Sequence, residues 1–579
     1  MASTLIKRIT PYCIALLILC GIFFIALKGY LFQINHTLVY SSDGLFSLAY
    51  VKTVIDTGWA LSNPYLGYPG MLQLYDYPGL DNFSFLIQNL ISFWSHNPFI
   101  VTNCFYLLTF IMSAFSALYV YGKLGLSKPW AIVAGVLFAI LPYHFWRSEG
   151  HLYLSAYFAV PLWLLLTFWI LDKDALFCAK TKYLNYIALF ALLCIIVNTG
   201  VYYTFFGLFY VFSAGLIARL QKQGWAPFGR SLIIVLLSTL IAALSLTPNL
   251  IFAHLHGKNS QVAHRGFDES EVLGLELTQL LLPAEGHRLP NFAHVRNRYD
   301  KETAQIDPKL INENSSASLG LLGSFGFLAS LAIIFGTRAR KRIQHIYNAA
   351  LLNLAGFLLA TLCGFGTLFA MFISPDIRSY NRISVFLGFL SLLVLFKLIQ
   401  YLCDRYCLKT KWVSLLACIL LIVGIIDQTP TYAIFPESQS NQADFQNDQT
   451  FIANIEKSLP PGSAIFELPY QAFPETPAMY KMPDYAQFRP YLHSTNLRWS
   501  YAAMKGRSTA TWQQKVAHLP TAKMLEALRQ AGFTGIYINR EGYADHGVVL
   551  EHSLAKILHQ KPLVSPNTQL SFFRLGANS

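Results

Sequence analysis

Asp43 lies in Ser41-Ser42-Asp43-Gly44, the first polar segment after a long apolar run. A carboxylate there has the chemistry of a general base that takes a proton from an acceptor hydroxyl. The same residues also admit a reading without chemistry, because Ser and Asp ahead of a helix satisfy its free N–H groups as a cap. The residues alone leave both open. Asp76, framed by Tyr75 and Tyr77, has the neighbours of a sugar-binding carboxylate, whereas Asp81 before Asn82 reads as a helix cap.

Arg147, Glu149 and His151 form a second group, crowded between two apolar stretches. Ionisable groups so placed are costly unless paired or functional. Glu149 and His151 offer one carboxylate and one imidazole for a divalent cation, but two ligands do not define a site. Alternatively Arg147 pairs with Glu149, and His151 hydrogen-bonds a substrate hydroxyl. A third group, His254, His256, His264, Arg265, His287, Arg288, His294, Arg296 and Arg298, suits a phosphate, which guanidinium groups grip bidentately. For most of its members a solvated basic loop near anionic lipid is the simpler reading. Arg265 and His287 stand out because they flank the amphipathic stretch 268–282. Arg378 and Arg382 stand at the outward end of an apolar stretch, placed to hold a lipid phosphate or to snorkel.

The elements that position these groups are apolar. The chain has 579 residues, 54% of them hydrophobic and only 13% charged, with a mean hydropathy of +0.42, which marks a polytopic membrane protein. The first stretch, 12–31, is about twenty residues, long enough to cross a bilayer, and reads as an uncleaved anchor. Further stretches at 99–121, 130–142, 152–171, 183–197, 202–217, 232–252, 319–335, 346–373, 383–402 and 413–426 bring the expected number of spans to about eleven. A net charge of +13 invites a nucleic-acid partner. The distribution argues against one, because much of the Lys and Arg lies in short segments between spans, where it sets topology. Lys7, Arg8, Lys123, Lys128, Lys173, Lys180, Lys182, Arg219, Lys222, Arg230, Arg338, Arg340, Lys341, Arg342, Arg405, Lys409 and Lys411 fall on one side if the spans alternate, and that side is the cytoplasm. Loops 35–97, 146–151 and 254–318 then face outward, with everything after Asp427. Within 35–97, residues Leu45, Leu48 and Ile55, and Phe83, Leu86, Leu90 and Phe93, have the spacing of two helices lying on the membrane. None of the nine cysteines has zinc-ligand spacing with a partner pair, and no disulfide framework is indicated. After Gln428 the spans cease. Strands at 464–468 and 535–539, with a helix 521–530 ending at Gly532, predict a small α/β domain outside the membrane.

Three placements resemble the GT-C superfamily of integral-membrane glycosyltransferases, which use polyprenyl-phosphate-linked sugars on the outer side of the membrane. They are Asp43 in a first outward loop with two surface helices, Glu149 and His151 in a short second loop, and the soluble C-terminal part. Shorter stretches are similar to bacterial members: Gly150-His151-Leu152 followed by Pro161, Leu281-Leu282-Pro283 followed by Gly286-His287, Tyr380-Asn381-Arg382, Phe466-Glu467-Leu468-Pro469-Tyr470, and Arg489-Pro490-Tyr491-Leu492-His493-Ser494.

The resemblance implies a polytopic α-helical GT-C-like module over 1–427 and an extracytoplasmic α/β domain over 428–579. It implies a bacterial inner-membrane protein, N-terminus in the cytoplasm, and Asp43 as catalytic base. Asp76, Arg147, Glu149, His151, Arg265, His287 and Arg382 are the expected substrate-binding residues. The expected partners are a polyprenyl-phosphate-sugar donor, a glycan or lipid acceptor and the bilayer, with no nucleic acid. Metal-dependent members carry an acidic pair in the second loop. Glu149-Gly150-His151 departs from it, which leaves a divalent cation (Mg or Mn) on Glu149 and His151 an open question. Two other classes compete. A flippase for lipid-linked glycans predicts charges midway along spans, whereas Lys28 and Lys397 lie near span ends. A non-catalytic envelope scaffold predicts Asp43 spent as a cap.

Overall fold

The computed structural model describes residues 2–26, 34–171, 182–263, 265–336, 344–430 and 438–576. Lys28, Lys173, Cys178, Lys180, His264, Arg338, Arg340, Lys341 and Arg342 lie outside the described residues.

Apolar helices make up the first three quarters of the chain. Seven of the described helices are long and apolar enough to cross a membrane: Arg8–Ala26, Pro98–Lys123, Lys128–Arg147, Val201–Leu220, Ala226–Ser245, Tyr380–Arg405 and Thr410–Gln428. An eighth arises if Pro308–Ala317 and Gly320–Phe335, bent by 90° at their junction, count as one span. The remaining expected spans are shorter. Val160–Leu171 ends, and Lys182–Val197 begins, at the edge of the described residues. The expected span 346–373 is broken after Gln344–Ala360, and a separate short helix Phe365–Phe372 follows.

Small and polar residues let these helices approach closely, as expected where apolar lipid offers no hydrophobic drive to association. A Cβ on Gly326 would fall 2.1 Å from the Ser391 carbonyl oxygen, so the backbones of Gly320–Phe335 and Ser384–Arg405 meet there with no room for a side chain. Beside that crossing, Asn353 Nδ2 donates to Ser330 Oγ at 3.0 Å and to Ser391 Oγ at 3.1 Å. Three helices are joined by one buried amide.

One end of the bundle carries the long polar loops. Helix Ser42–Thr57 does not lie on a membrane surface as its spacing suggested. Leu45, Leu48, Val51 and Val54 are buried, and Phe46 stacks on Tyr485 and Phe488 from the C-terminal part. The helix is amphipathic because protein covers it on two sides. Asn82–Ser92 keeps the expected character, with Leu86, Leu90 and the following Phe93 and Trp94 exposed as a continuous apolar edge.

Beyond the last apolar helix, a five-stranded sheet runs in the order Arg498–Trp499, Ala464–Leu468, Phe533–Asn539, Leu570–Arg574, Leu563–Val564. The first three strands are parallel, and the last two pair antiparallel. Helix Thr521–Gln530 precedes Gly532, whose φ of 85° gives the left-handed turn a glycine tolerates. This α/β unit is bolted to the first loop. Arg507 grips Asp76 with Nη2–Oδ1 at 2.5 Å and Nε–Oδ2 at 2.7 Å. Tyr40 Oη lies 3.0 Å from Asp448 Oδ2 and 2.8 Å from His493 Nε2.

Candidate active site

Helix Ser42–Thr57 starts at a residue with strained backbone. Ser42 has a φ of 44°, a conformation that costs a non-glycine residue about 1–3 kcal/mol and persists only where surrounding structure enforces it. Gly44 supplies part of that enforcement, because a Cβ there would lie 2.9 Å from the Val39 carbonyl oxygen. Ser41 holds the cap position and makes no capping bond with its side chain, and Asp43 sits in the first turn. The capping reading of Asp43 is thereby set aside. Its Oδ2 faces His151 Nε2 at 3.3 Å. The side chains of Asp43 and His151 are 51% and 39% exposed, so the pair opens to solvent from a recess.

Burial in that recess is the largest influence on Asp43 and raises its carboxyl to about 6. The charges of Asp484 and Glu475 add to the rise, and Arg382 and Arg378 oppose it. A carboxylate near 6 is a stronger base than an ordinary aspartate and still ionised at neutral pH. His151 moves the other way, to about 3, through burial first and then the fields of Arg147 and Arg382. The imidazole facing Asp43 is therefore neutral.

His151 is placed by the strained segment after helix Pro142–Arg147. Ser148, at φ 46° and ψ −153°, turns the chain sharply, and the three ionisable side chains around it part company. Arg147 Nη1 reaches Glu313 Oε2 at 2.6 Å. Arg382 Nη2 meets the same oxygen at 3.2 Å, and Asn381 Nδ2 donates to Oε1 at 3.3 Å. Tyr143 underlies Arg147, and Tyr202 underlies Arg382 at 4.2 Å. Two guanidinium groups thus share one carboxylate. Arg147 Nε and Nη2, and Arg382 Nε, are buried without a hydrogen-bond partner among the described residues. Unpaired buried N–H groups of a cation are costly, and an anion bound there would satisfy them.

Several expectations need correction. Glu149 does not pair with Arg147, face substrate or join His151 around a cation. Its Oε2 accepts from Thr37 Oγ1 at 2.6 Å and from the Leu38 backbone N–H at 2.7 Å. Burial raises it to about 7, partly offset by those bonds. It ties the irregular segment ahead of Asp43 to the second loop. Among the described residues no three His, Cys, Asp or Glu side chains converge as a cation site. Asp76 is spent on Arg507 and on Asn259, whose Nδ2 lies 3.2 Å from Oδ2. His287 is fully buried against Asp427 at 3.2 Å, and Asp427 in turn accepts from the Leu321 N–H at 2.6 Å. Both are fastenings of the loops, not groups open to a ligand. Asp81 stands at the cap position of Asn82–Ser92 but makes no capping bond with its side chain.

Arg265 is near the recess, and it is paired with Glu475. Tyr77 Oη donates to Glu475 Oε1 at 3.3 Å, and Lys505 Nζ donates to the Glu475 carbonyl at 3.3 Å. Burial pushes Glu475 up, but the bond and charge of Arg265 prevail and hold it below the usual carboxylate range. Arg378 is paired with Glu269. The residues that sequence reasoning missed are Glu313, Glu475 and Asp484. Glu313 is 166 positions from Arg147, and no spacing rule links the two.

No protein-family model matches this sequence, and no curated protein matches it. Solved structures do match. ArnT from Cupriavidus metallidurans bound to undecaprenyl phosphate superposes with a TM-score of 0.53 at 10% identity, over 98% of this chain and 99% of that one. The apo state of the same protein gives 0.52 at 11% identity over the full length of both. The Archaeoglobus fulgidus oligosaccharyltransferase in the apo form gives 0.45 at 10% identity over 92% of this chain and 70% of that one, too distant to carry an argument. At such identities the likeness is one of fold. Over nearly its whole length the chain shares its fold with ArnT, as the resemblance noted in the sequence led one to expect.

Proposed function

We propose that this chain is an inverting glycosyltransferase of a bacterial inner membrane. It moves a sugar from a polyprenyl-phosphate donor to a hydroxyl of an extracytoplasmic acceptor. Its N-terminus lies in the cytoplasm, and the Asp43 loop and the α/β unit lie outside. The orientation rests on Lys123, Lys128, Arg219, Lys222, Arg405, Lys409 and Lys411, which belong to the short connections away from the Asp43 loop. The donor class is supported by the fold shared with ArnT, which binds undecaprenyl phosphate.

The observation that carries the reading is the pairing of unlike groups around one recess. Asp43, raised to about 6, faces neutral His151, and the Arg147–Glu313–Arg382 cluster behind them holds unpaired guanidinium N–H groups. In the proposed reaction Asp43 takes the proton of the acceptor hydroxyl as that oxygen attacks the anomeric carbon. The bond from that carbon to the phosphate oxygen breaks, and the phosphate leaves with the electron pair. Arg147 and Arg382 stabilise the charge it gains, in a site where fixed donors need no reorganisation. His151 orients the carboxylate. Arg265, considered alongside Arg382 from sequence, serves instead to fasten Glu475 beside the site.

The test is direct. Purified protein in liposomes is given undecaprenyl-phosphate hexoses and pentoses labelled in the sugar, together with lipid and glycan acceptors from a bacterial envelope. Release of free undecaprenyl phosphate in step with a labelled product of inverted configuration is expected. Release from none of these donors would overturn the reading.

A further inference from the structure

An open concavity on the α/β unit, edged by Pro69 of the first loop, lies apart from the groups assigned above. It measures about 450 Å³ and lies between Pro69 and the helices Ser508–Ala517 and Thr521–Gln530, within the range of about 300–1,000 Å³ that small-ligand clefts occupy. Its lining includes Ser508, Thr509, Trp512 and Gln530, and none of its lining residues carries a charge. The Trp512 ring lies parallel to Phe533, at 5° and 6.2 Å between centroids, so its plane is fixed from beneath. Among the described residues the hydroxyls of Ser508 and Thr509 and the indole N–H of Trp512 bond to no other residue. They stand available beside an aromatic face.

The walls are fixed. Tyr68 Oη donates to the Ala531 carbonyl at 3.0 Å, and Gln513 Nε2 donates to the Tyr68 carbonyl at 2.8 Å. Arg507, immediately before the first helix, is locked to Asp76. Gly70 keeps the rim open, because a Cβ on it would fall 2.7 Å from Thr509 Oγ1.

We infer that this cleft binds a neutral saccharide unit of the acceptor glycan, an inference that rests on the reading of the protein as a glycosyltransferase. The electron-rich face of an indole attracts the C–H edge of a pyranose, and uncharged hydroxyl and amide groups beside it match ring hydroxyls in both donor and acceptor roles. A phosphate would call for cations, and a lipid chain for a cleft without polar groups.

Saturation-transfer NMR on the full chain, in a detergent without a sugar headgroup, tests this with maltotriose, cellotriose and chitotriose as probes. At least one trisaccharide is expected to saturate, equally in wild type and in Asp43→Asn. Trp512→Ala is expected to weaken that binding about tenfold, as loss of an aromatic anchor does, and Trp512→Phe to weaken it less. Gly70→Val, which crowds Thr509 without touching the packing on Phe533, is expected to weaken it as well. Binding unmoved by both Trp512→Ala and Gly70→Val, or saturation of none of the probes, would overturn the inference. Saturation of a Pro-rich decapeptide in place of any saccharide would assign the cleft to a polypeptide and overturn it too. Because binding is read without turnover, an Asp43→Asn variant that still transfers sugar would sink the base assignment and leave the subsite standing.

Discussion

Replacing Asp484 with Asn removes the largest charge acting to raise Asp43, without altering the burial that raises it most. With a carboxyl at about 6, Asp43 is about nine tenths ionised at pH 7 and about one tenth at pH 5, so with Asp43 as the base the wild-type rate at pH 5 is expected to be about a tenth of that at pH 7. Loss of the Asp484 charge moves the acid limb toward the ordinary 3.8, and the pH 5 to pH 7 ratio rises toward one. The assay is release of undecaprenyl phosphate under kcat/KM conditions between pH 4.5 and 8. Other groups do not mimic this response. His151 is lowered to about 3, and the carboxyls of Glu149 and Asp81, raised to about 7, and of Asp448, raised to about 6, owe their rise chiefly to burial with no contribution from Asp484. A limb that stays at 6 in Asp484→Asn, or a wild-type limb near 4, would refute the reasoning.

Glu313→Gln leaves two neighbouring guanidinium groups without their shared carboxylate; removing one partner of such a buried pair costs about 3–5 kcal/mol. A lowered thermal midpoint is expected, and undecaprenyl phosphate should raise that midpoint more in the variant than in wild type. Glu149→Leu strands the buried Leu38 N–H, at a cost of about 1–3 kcal/mol read by denaturation. Because the folded protein holds the Glu149 proton up to about 7 and the unfolded chain only to 4.5, ionising it costs stability as pH rises between those values. Glu149→Gln should flatten that part of the stability profile. Arg507→Ala breaks the bidentate grip on Asp76 and should loosen the α/β unit by about 1–3 kcal/mol, seen as faster limited proteolysis after residue 428.

Apolar runs long enough to span a bilayer show the helical bundle plainly in the sequence, because spacing and length are local properties. The strand at 464–468, the part 535–539 of the strand Phe533–Asn539, and the helix at 521–530 are legible for the same reason. Asp43 was legible as a candidate because Ser-Ser-Asp-Gly sits at an apolar boundary, but whether it caps or faces a partner depended on His151, 108 positions away. Glu149 misled for a physical reason. Sequence proximity to His151 suggests a shared face, yet the left-handed turn at Ser148 sends the two side chains to different partners. Asp76 and His287 had the composition of ligand groups, and the fold spends them on joining loops to the bundle. Glu313 carried no signal at all, since two arginines from distant segments give it its role.

The proposed transfer depends most on Asp43 acting as the base. Single-turnover transfer from undecaprenyl-phosphate sugar, measured for Asp43→Asn beside wild type at equal amounts of folded protein, tests it most directly. A fall of about 10²–10⁴ in the transfer step, with donor binding kept, is the predicted result. Transfer within a few-fold of wild type would contradict it.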